Sequence, residues 1–223
     1  IVMKAGRVKC SIGFVCIYEG VEMKVSIRSK TPDMIGVISE AAGLCYGKND
    51  MSVKRVRNCY KVGHTGILEH ASVSFLVNGI SRACSHQLVR HRMASYLQES
   101  QRYIKYDLSD DDWYVIPPSV EKNVYALADY NDKMAADAKA YSDALAYGIK
   151  AEDARYLLPN AMKTNIVVTM NMRSLFHFFD LRLGPHAQWE IRELAKLMAT
   201  EMEKVEPELM QIYYEFRDKT RID

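Results

Sequence analysis

Apolar and polar positions change their period several times along the chain, and these changes predict its first elements. Between residues 21 and 27, valine, methionine and isoleucine alternate with polar neighbours, which predicts a strand. Residues 31–33, Thr-Pro-Asp, are typical of the cap and first turn of a helix, which we expect to run to about Gly43. Residues 71–80 are rich in valine and phenylalanine and predict a second strand, and the polar segment 81–92 changes to helical spacing.

Helical spacing dominates the second half of the chain. Residues 119–147 carry apolar side chains at intervals of three and four and end before Gly148, which predicts one long helix. A short helix is expected at 152–158, where Pro159 stops it. The remaining predicted elements are a strand at 163–172 and two helices at 173–182 and 186–205.

This order of elements indicates the fold class. Strands concentrate at the front and helices at the back, without the regular alternation of a doubly wound sheet. A length of 223 residues suits one sizeable core. We therefore expect an α+β fold: a single domain over residues 1–223, with a mainly antiparallel sheet and several long helices.

The charge and the cysteine content indicate which partners and which cellular compartment to expect. The formal charge is only +2, so attraction of the whole protein to nucleic acid or membrane should be weak. The five cysteines form no CxxC pair, and an odd number makes a complete intrachain disulfide framework impossible. The opening segment does not resemble a signal peptide, and no run approaches the roughly 18 apolar residues of a membrane span. We expect a cytoplasmic protein.

The densest cluster of polar side chains lies in residues 90–103. Guanidinium groups there offer forked donors to a phosphate, while hydroxyls and amides add neutral hydrogen bonds, so the cluster suits a nucleotide. The alternative is a solvated basic helix face without a ligand. The residues concerned are Arg90, His91, Arg92, Ser95, Gln98, Ser100, Gln101 and Arg102.

A second cluster combines charge with strongly apolar sequence in residues 171–190. Arg173 and His177 are four residues apart and share one face of the predicted helix, and Arg182 follows. Their neighbours are leucines and phenylalanines, so these groups should be partly desolvated, which is unfavourable unless a partner or ligand satisfies them. The alternative is an internal salt bridge from Arg182 to Asp180 or Glu190.

A third cluster, His64, Glu69 and His70, could be a metal site, but its spacing lacks the i,i+4 histidine pair of helical zinc sites, and we predict no metal. The chain contains neither a G-x-G-x-x-G turn nor a P-loop, and no G-x-S-x-G elbow. A dinucleotide would have to be held by side chains.

Residues 90–102 resemble the R-H-R-x-x-S-x-x-x-x-S-x-R signature of the flavin-dependent thymidylate synthases, the ThyX family. The resemblance extends to GHTGILEH before the signature and to EDARYLLP, NMRSLFHFFDLR and HAQWE after it, in the family's order. It covers roughly residues 30 to 217.

This resemblance implies an enzyme that methylates dUMP to dTMP. FAD would be the bound cofactor, with methylenetetrahydrofolate as carbon donor and NADPH as reductant, and tetrahydrofolate would be released. It also implies a homotetramer whose active sites lie between subunits. Nucleic acid and membranes are not expected as partners.

The resemblance also implies the site residues. Arg182 and Ser100 are the catalytic candidates: Arg182 would stabilise negative charge on the uracil ring, whereas Ser100 suits dUMP binding better than covalent attack. Arg155 suits the phosphate. The dUMP contacts would be Gln87, Arg90, Gln98, Glu99, Ser100, Gln101, Arg102, Arg155 and Arg182. The FAD contacts would be His64, Gly66, Glu69, Arg90, His91, Arg92, Met93, Gln98, Asn171, Met172, Arg173, His177, Leu181 and His186.

Two other functions remain open. A nucleic-acid module would place Arg90, Arg92 and Arg102 on phosphates and would stack Tyr96 and Tyr103 on bases. It predicts a colourless protein whose affinity falls steeply with salt. Another kind of flavoprotein would be yellow and would consume NADPH without methylating dUMP.

Overall fold

The computed structural model describes residues 2–4, 7–9, 15–17, 23–48 and 50–217. Its strands are β1 (Val2–Lys4), β2 (Arg7–Lys9), β3 (Val15–Ile17), β4 (Lys24–Lys30), β5 (Ser72–Ser81), β6 (Ala94–Gln98), β7 (Lys105–Asp107) and β8 (Lys163–Asn171). Its α-helices are α1 (Met34–Leu44), α2 (Val53–Lys61), α3 (Arg82–Leu88), α4 (Pro118–Glu121), α5 (Val124–Ala146), α6 (Ala151–Ala154), α7 (Met172–Arg182), α8 (Trp189–Val205) and α9 (Pro207–Phe216). Short 3-10 helices span Thr65–His70, Asp111–Trp113 and Arg155–Leu157.

The chain forms two compact units. Unit 1 comes from residues 1–24, 78–86 and 98–165, and unit 2 from residues 25–77, 87–97 and 166–223. The single domain over residues 1–223 stays a prediction.

Unit 1 contains a small sheet and a core built around α5. The sheet has the order β3-β2-β1-β7; β1 and β3 are antiparallel to β2, and β7 is parallel to β1. Trp113, Tyr114 and Met162 pack in the core against Met134 and Tyr141, which lie two helical turns apart on α5. The α5 helix is thereby fixed by one apolar face, while most of its other side chains are exposed.

The core of unit 2 forms where alternating strands meet apolar helices. The second sheet has the order β4-β5-β8-β6, so β4 and β6 are its edge strands. Within unit 2, Phe75 of β5 and Val168 of β8 are fully buried, and alternate side chains of both strands are less buried. Phe178 and Phe179 of α7 add two fully buried rings, and Met198 of α8 is also fully buried.

Several predicted elements are confirmed with small changes of boundary. Asp33 caps α1, because its side chain accepts a hydrogen bond from the main-chain nitrogen of Gly36 at 3.2 Å. The predicted strand at 21–27 is β4, shifted toward the C terminus; residues 21 and 22 lie outside the described residues. The strand and the two helices predicted over residues 163–205 correspond to β8, α7 and α8. The α+β class with antiparallel pairing is confirmed, and the homotetramer stays a prediction.

Two predictions about helices were wrong or incomplete. The single helix over 119–147 is two helices, α4 and α5, because the Asn123 side chain accepts hydrogen bonds from the main-chain nitrogens of Tyr125 and Ala126, both at 3.1 Å, and starts a new helix there. The helix predicted within 81–92 ends at Leu88. Neither α2 nor α9 was predicted.

Two long strands run directly into helices without a connecting loop. Ser81 ends β5 and Arg82 begins α3, while Asn171 ends β8 and Met172 begins α7. Polar side chains near these junctions are therefore held by regular structure on both sides. No helix within the described ranges combines the length and apolar character that crossing a bilayer requires.

Candidate active site

The first turn of α7 is fixed by three contacts. Asn171 caps the helix by accepting a hydrogen bond from the main-chain nitrogen of Ser174 at 2.9 Å. The main-chain nitrogen of Met172 donates to the carbonyl of Ala71 at 2.9 Å. Arg173 forms an ion pair with Glu69 near the end of the 3-10 helix Thr65–His70. These contacts define where the polar face of α7 begins.

A cavity of about 460 Å³ lies in unit 2 beside this helix. Its wall combines cationic, amide and imidazole groups with apolar side chains, a mixture typical of cofactor sites. Six of its lining residues are predicted FAD contacts: Glu69, Arg92, Met93, Asn171, Arg173 and His177. The other lining residues are Tyr60, Thr65, Leu68, Ser174, Phe176 and Asp180. The structure thus brings the 69, 92–93 and 171–177 segments to one place.

His91 is buried close to this cavity and held in one orientation. Its Nε2 lies 2.9 Å from the carbonyl oxygen of Ser174, and its ring centre is 5.5 Å from that of His177. Burial lowers the pKa of His91; the hydrogen bond to Ser174 opposes this shift, and the nearby His177 and Arg182 add to it. A carbonyl only accepts hydrogen bonds, so the neutral ring carries its proton on Nε2 and leaves Nδ1 as an acceptor.

The turn that carries His91 is shaped by Tyr96 and Met93. The Tyr96 hydroxyl lies 2.6 Å from the carbonyl of His91 and 2.9 Å from that of Leu88. Burial raises the pKa of Tyr96 to about 12, so the hydroxyl stays protonated and can donate to either carbonyl. Met93 has φ = 68°, a left-handed conformation that is unusual for a residue other than glycine. This turn buries His91 and exposes Arg92 on the next position.

Arg182, the last residue of α7, carries an unsatisfied donor. Its Nε is buried and has no hydrogen-bond partner in the described part of the chain. Asp180, one of the two partners considered for Arg182 from the sequence, accepts a hydrogen bond from the Tyr213 hydroxyl at 2.9 Å. Buried polar atoms nearly always have partners, so this donor marks a place where a ligand can supply one.

In unit 1, the end of β6 is fixed by side-chain hydrogen bonds. The amide nitrogen of Gln98 donates to Ser85 Oγ at 2.9 Å and to Thr164 Oγ1 at 3.2 Å. Glu99 accepts a hydrogen bond from the Tyr106 hydroxyl at 2.9 Å. The signature residues that are predicted to bind dUMP therefore begin at a strand end that side-chain hydrogen bonds hold in place.

Three arginines lie near each other in unit 1. Arg102 Nε donates to Glu152 Oε2 at 2.8 Å, and Arg155 Nε donates to the main-chain oxygen of Glu152 at 2.9 Å. Burial lowers the pKa of Arg82, and the nearby charge of Arg155 acts in the same direction. Tyr106 and Glu99 have the opposite effect and raise it. Clustered guanidinium groups of this kind suit an anionic ligand.

Ser100 takes part in the turn between these arginines and β6. Its Oγ accepts a hydrogen bond from the main-chain nitrogen of Arg102 at 3.3 Å, and its carbonyl accepts from Ile104 at 3.2 Å. No histidine contacts its hydroxyl among the residues that the structure describes. This geometry suits ligand binding by the turn, and the catalytic assignment of Ser100 stays a prediction.

Some predicted FAD contacts are not brought to the 460 Å³ cavity. His64 and Gly66 line a different cavity, of about 290 Å³, together with His70. Leu181 and His186 are exposed and line neither cavity. The Met172 side chain is fully buried in the core, so only its main chain is available to a ligand.

The other predicted residues have simpler surroundings. Arg90 is exposed and Gln87 is half-buried at the end of α3, and the main-chain nitrogen of Arg90 donates to the Gln87 carbonyl at 3.3 Å. The Gln101 amide donates to Met162 Sδ at 3.1 Å. All of these assignments stay predictions.

The residues considered as metal ligands are separated. Glu69 pairs with Arg173 at one cavity, whereas His64 and His70 line the other. Over the described ranges, no three or more His, Cys, Asp or Glu side chains form a group that could hold a metal ion.

Sequence reasoning missed several residues of these sites. Tyr60, Thr65 and Asp180 line the larger cavity, and Arg82 joins the arginine cluster of unit 1. Arg82 lies in the segment 81–92, where its place directly after a predicted strand was an available signal. Tyr60 offered none, because α2 was not predicted.

Comparisons with a family model and with known proteins show which family the chain resembles. A family model described as "Thymidylate synthase complementing protein" matches residues 26–208. A flavin-dependent thymidylate synthase of Geobacter sulfurreducens is 42% identical over 200 residues, which cover 85% of this chain and 86% of that protein. One of Pyrococcus furiosus is 48% identical over 158 residues, covering 70% of this chain and 64% of that protein.

A solved structure shares the fold. Thymidylate synthase X (ThyX) of Helicobacter pylori, determined with FAD and dUMP, superposes with a TM-score of 0.71 at 22% identity, covering 87% of this chain and 98% of that one. These matches extend across both units and confirm the resemblance of the signature. The chain belongs to the flavin-dependent thymidylate synthase family.

Proposed function

We propose that this chain methylates dUMP to dTMP, with bound FAD, methylenetetrahydrofolate as carbon donor and NADPH as reductant, and releases tetrahydrofolate. The observation that carries the proposal is the cavity of unit 2, where six predicted FAD contacts from three distant segments meet. The matched relatives are named flavin-dependent thymidylate synthases, and the Helicobacter pylori relative was solved with both FAD and dUMP.

The groups around the cavity fit a flavin dinucleotide. Arg92 and Arg173 supply positive charge for a diphosphate, and the capping residue Asn171 offers an amide. Leu68 and Phe176 supply apolar wall for an aromatic ring system. When bound, FAD would provide the hydride that completes the methyl group.

Two histidines of this region support the assignment, His91 by its burial and His177 by its place at the cavity. Because burial lowers its pKa, the His91 ring adds no positive charge beside the cavity at neutral pH. Its hydrogen bond to the Ser174 carbonyl also fixes the first turn of α7. His177 lies on the cavity side of the same helix and offers a hydrogen-bonding ring to a ligand.

The arginine cluster of unit 1 is the proposed contact for the nucleotide phosphate. Arg102 and Arg155 are both held through Nε, and Arg82 is close enough to Arg155 for their charges to interact. A phosphate monoester carries about −1.5 to −2 charges at neutral pH and accepts several such donors. The turn at Ser100 and the anchored Gln98 would complete the polar contacts.

Arg182 is the proposed electrostatic catalyst. Carbon 5 of uracil becomes a better nucleophile when negative charge on N3 and O2 is stabilised, and a partly buried guanidinium does this more strongly than water. In the described part of the chain, the buried Nε of Arg182 has no hydrogen-bond partner, which supports a role in ligand binding for this side chain. No cysteine attack on carbon 6 is part of the proposed mechanism.

We also propose a cytoplasmic homotetramer with active sites shared between subunits, as the family resemblance implies. Large side chains that are exposed on the single chain, such as Leu97 and Tyr156, are available for contacts between subunits. Sedimentation at several protein concentrations would test the assembly state.

The decisive experiment is a single anaerobic turnover. The FAD-loaded protein is reduced with NADPH, dUMP and methylenetetrahydrofolate are added, and flavin absorbance is followed while dTMP is assayed. Flavin reoxidation with an equal amount of dTMP is the expected result. Reoxidation without dTMP would indicate another flavoprotein, and failure to bind FAD at all would reject the proposal.

A further inference from the structure

Glu152 contacts two arginines of the unit 1 cluster in two different ways. Its carboxylate Oε2 accepts a hydrogen bond from Arg102 Nε at 2.8 Å, and its main-chain oxygen accepts one from Arg155 Nε at 2.9 Å. Its second carboxylate oxygen lies 3.9 Å from Lys150 Nζ. One residue therefore orients two guanidinium groups that are 53 positions apart in the sequence.

Both contacts use Nε and leave the outer nitrogens of each guanidinium uncommitted. Within the described ranges, the two Nη atoms of Arg102 and those of Arg155 have no hydrogen-bond or ion-pair partner. Arg102 also stacks on the Tyr103 ring at 5.2 Å, which restricts its plane. A guanidinium fixed through Nε presents its two Nη donors as a fork, which matches the oxygens of a phosphate.

The Glu152 carboxylate is suited to this task. The hydrogen bond from Arg102 holds the pKa of Glu152 below its usual range, so the group is ionised at neutral pH. Arg102 is largely exposed and, without this contact, would sample many rotamers. The contact restricts those rotamers before a ligand arrives, which lowers the entropy lost on binding.

We propose that Glu152 is a positioning residue for the nucleotide phosphate, which aligns Arg102 through its carboxylate and Arg155 through its main-chain oxygen. The inference rests on the proposed function, because it assumes that this cluster binds the phosphate of dUMP. It adds a specificity element: the protein should distinguish dUMP from deoxyuridine partly through Glu152, which itself does not touch the ligand.

Calorimetric titration of the FAD-loaded protein with dUMP and with deoxyuridine tests this role. Glu152→Ala removes the contact to Arg102 and should weaken dUMP binding by about three- to tenfold, as expected for an exposed charge-assisted hydrogen bond. Deoxyuridine has no phosphate, so its affinity should stay within about twofold. Glu152→Gln keeps an acceptor oxygen for Arg102 Nε and should restore dUMP affinity to within about twofold of the unsubstituted protein.

Asp143→Ala is the matched control, because it removes an exposed carboxylate of unit 1 that pairs with Lys139 instead. It should leave both affinities unchanged. Equal dUMP affinity in Glu152→Ala and the unsubstituted protein would overturn the positioning role, as would an equal loss for dUMP and deoxyuridine. Tighter dUMP binding by Glu152→Gln would also overturn it, since the carboxylate would then compete with the phosphate. If the unsubstituted protein binds no dUMP, the proposed function itself fails.

Discussion

His91 Nε2 donates a hydrogen bond to the main-chain carbonyl of Ser174, 2.9 Å away, and so joins the signature turn to the first turn of α7. The two segments are 83 positions apart in the sequence. Because burial lowers the pKa of His91, charging the ring is unfavourable in the folded protein, and the packing of unit 2 should be sensitive to pH.

Acidification should destabilise the ligand-free protein through His91. Its folded pKa is depressed by burial, so the unfolded chain binds the proton more readily, and stability is lost as pH falls from about 6.5 through the folded pKa. His91→Gln cannot titrate and should show a flatter dependence of the melting temperature between about pH 7.5 and 5. The exposed His86→Gln is the control and should keep the original slope. An unchanged slope in His91→Gln would contradict the assignment.

Replacing Arg182 should separate activity from stability. Arg182→Met keeps an apolar stem but removes the buried unsatisfied Nε, so the ligand-free protein should be as stable or more stable, by up to about 1 kcal/mol. The synthase rate should fall at least about a hundredfold, because charge on the uracil ring is no longer stabilised. Denaturant unfolding and a dTMP assay measure the two effects. Full activity in this variant would remove Arg182 from the mechanism.

Arg155→Ala should act on nucleotide affinity rather than on the fold. Loss of one charged contact to the phosphate should reduce the binding free energy by about 1.5 to 3 kcal/mol. This corresponds to a dUMP dissociation constant raised by roughly ten- to a hundredfold. Deoxyuridine binding should be unaffected. Arg28→Ala removes the same charge from an exposed strand position and should change neither affinity. An unchanged dUMP affinity in Arg155→Ala would exclude this residue from the phosphate site.

Loss of the α7 cap should affect stability and flavin binding together. Asn171→Ala removes the hydrogen bond to Ser174 and should lower the free energy of unfolding by about 1 kcal/mol. FAD affinity should fall by about fivefold or more, since the same turn carries Arg173 to the cavity. Asn123→Ala removes the equivalent cap of α5 in unit 1. This variant should lose similar stability and keep its FAD affinity; a parallel loss of flavin in both would show that the effect is not local.

The class of fold and part of one cavity wall were predictable from local patterns. The alternation in β5 and β8 and the helical spacing in α7 are visible in single segments of sequence. The polar residues among the phenylalanines of α7 indicated a ligand, and two of them, Arg173 and His177, line the 460 Å³ cavity.

Other features depend on single side chains or backbone conformations that the pattern of apolar and polar positions does not show. The signature places Arg90, His91 and Arg92 side by side, and the left-handed Met93 and the Tyr96 hydroxyl shape the turn in which the middle residue is buried. Likewise, the helix break before α5 depends on one capping side chain inside an otherwise helical pattern, at Asn123. Separation of His64 from Glu69 arises because the 3-10 helix between them turns the two side chains toward different cavities.

The loopless junction between β8 and α7 limits how this part of the chain can vary in length during evolution. A residue inserted at Asn171 would rotate α7 by about 100° relative to the strand, because each helical residue advances the helix by that angle. Arg173 and His177 would then leave the cavity together. Insertions and deletions in relatives should therefore be absent between residues 163 and 182 and should collect instead in exposed connections such as residues 45–48.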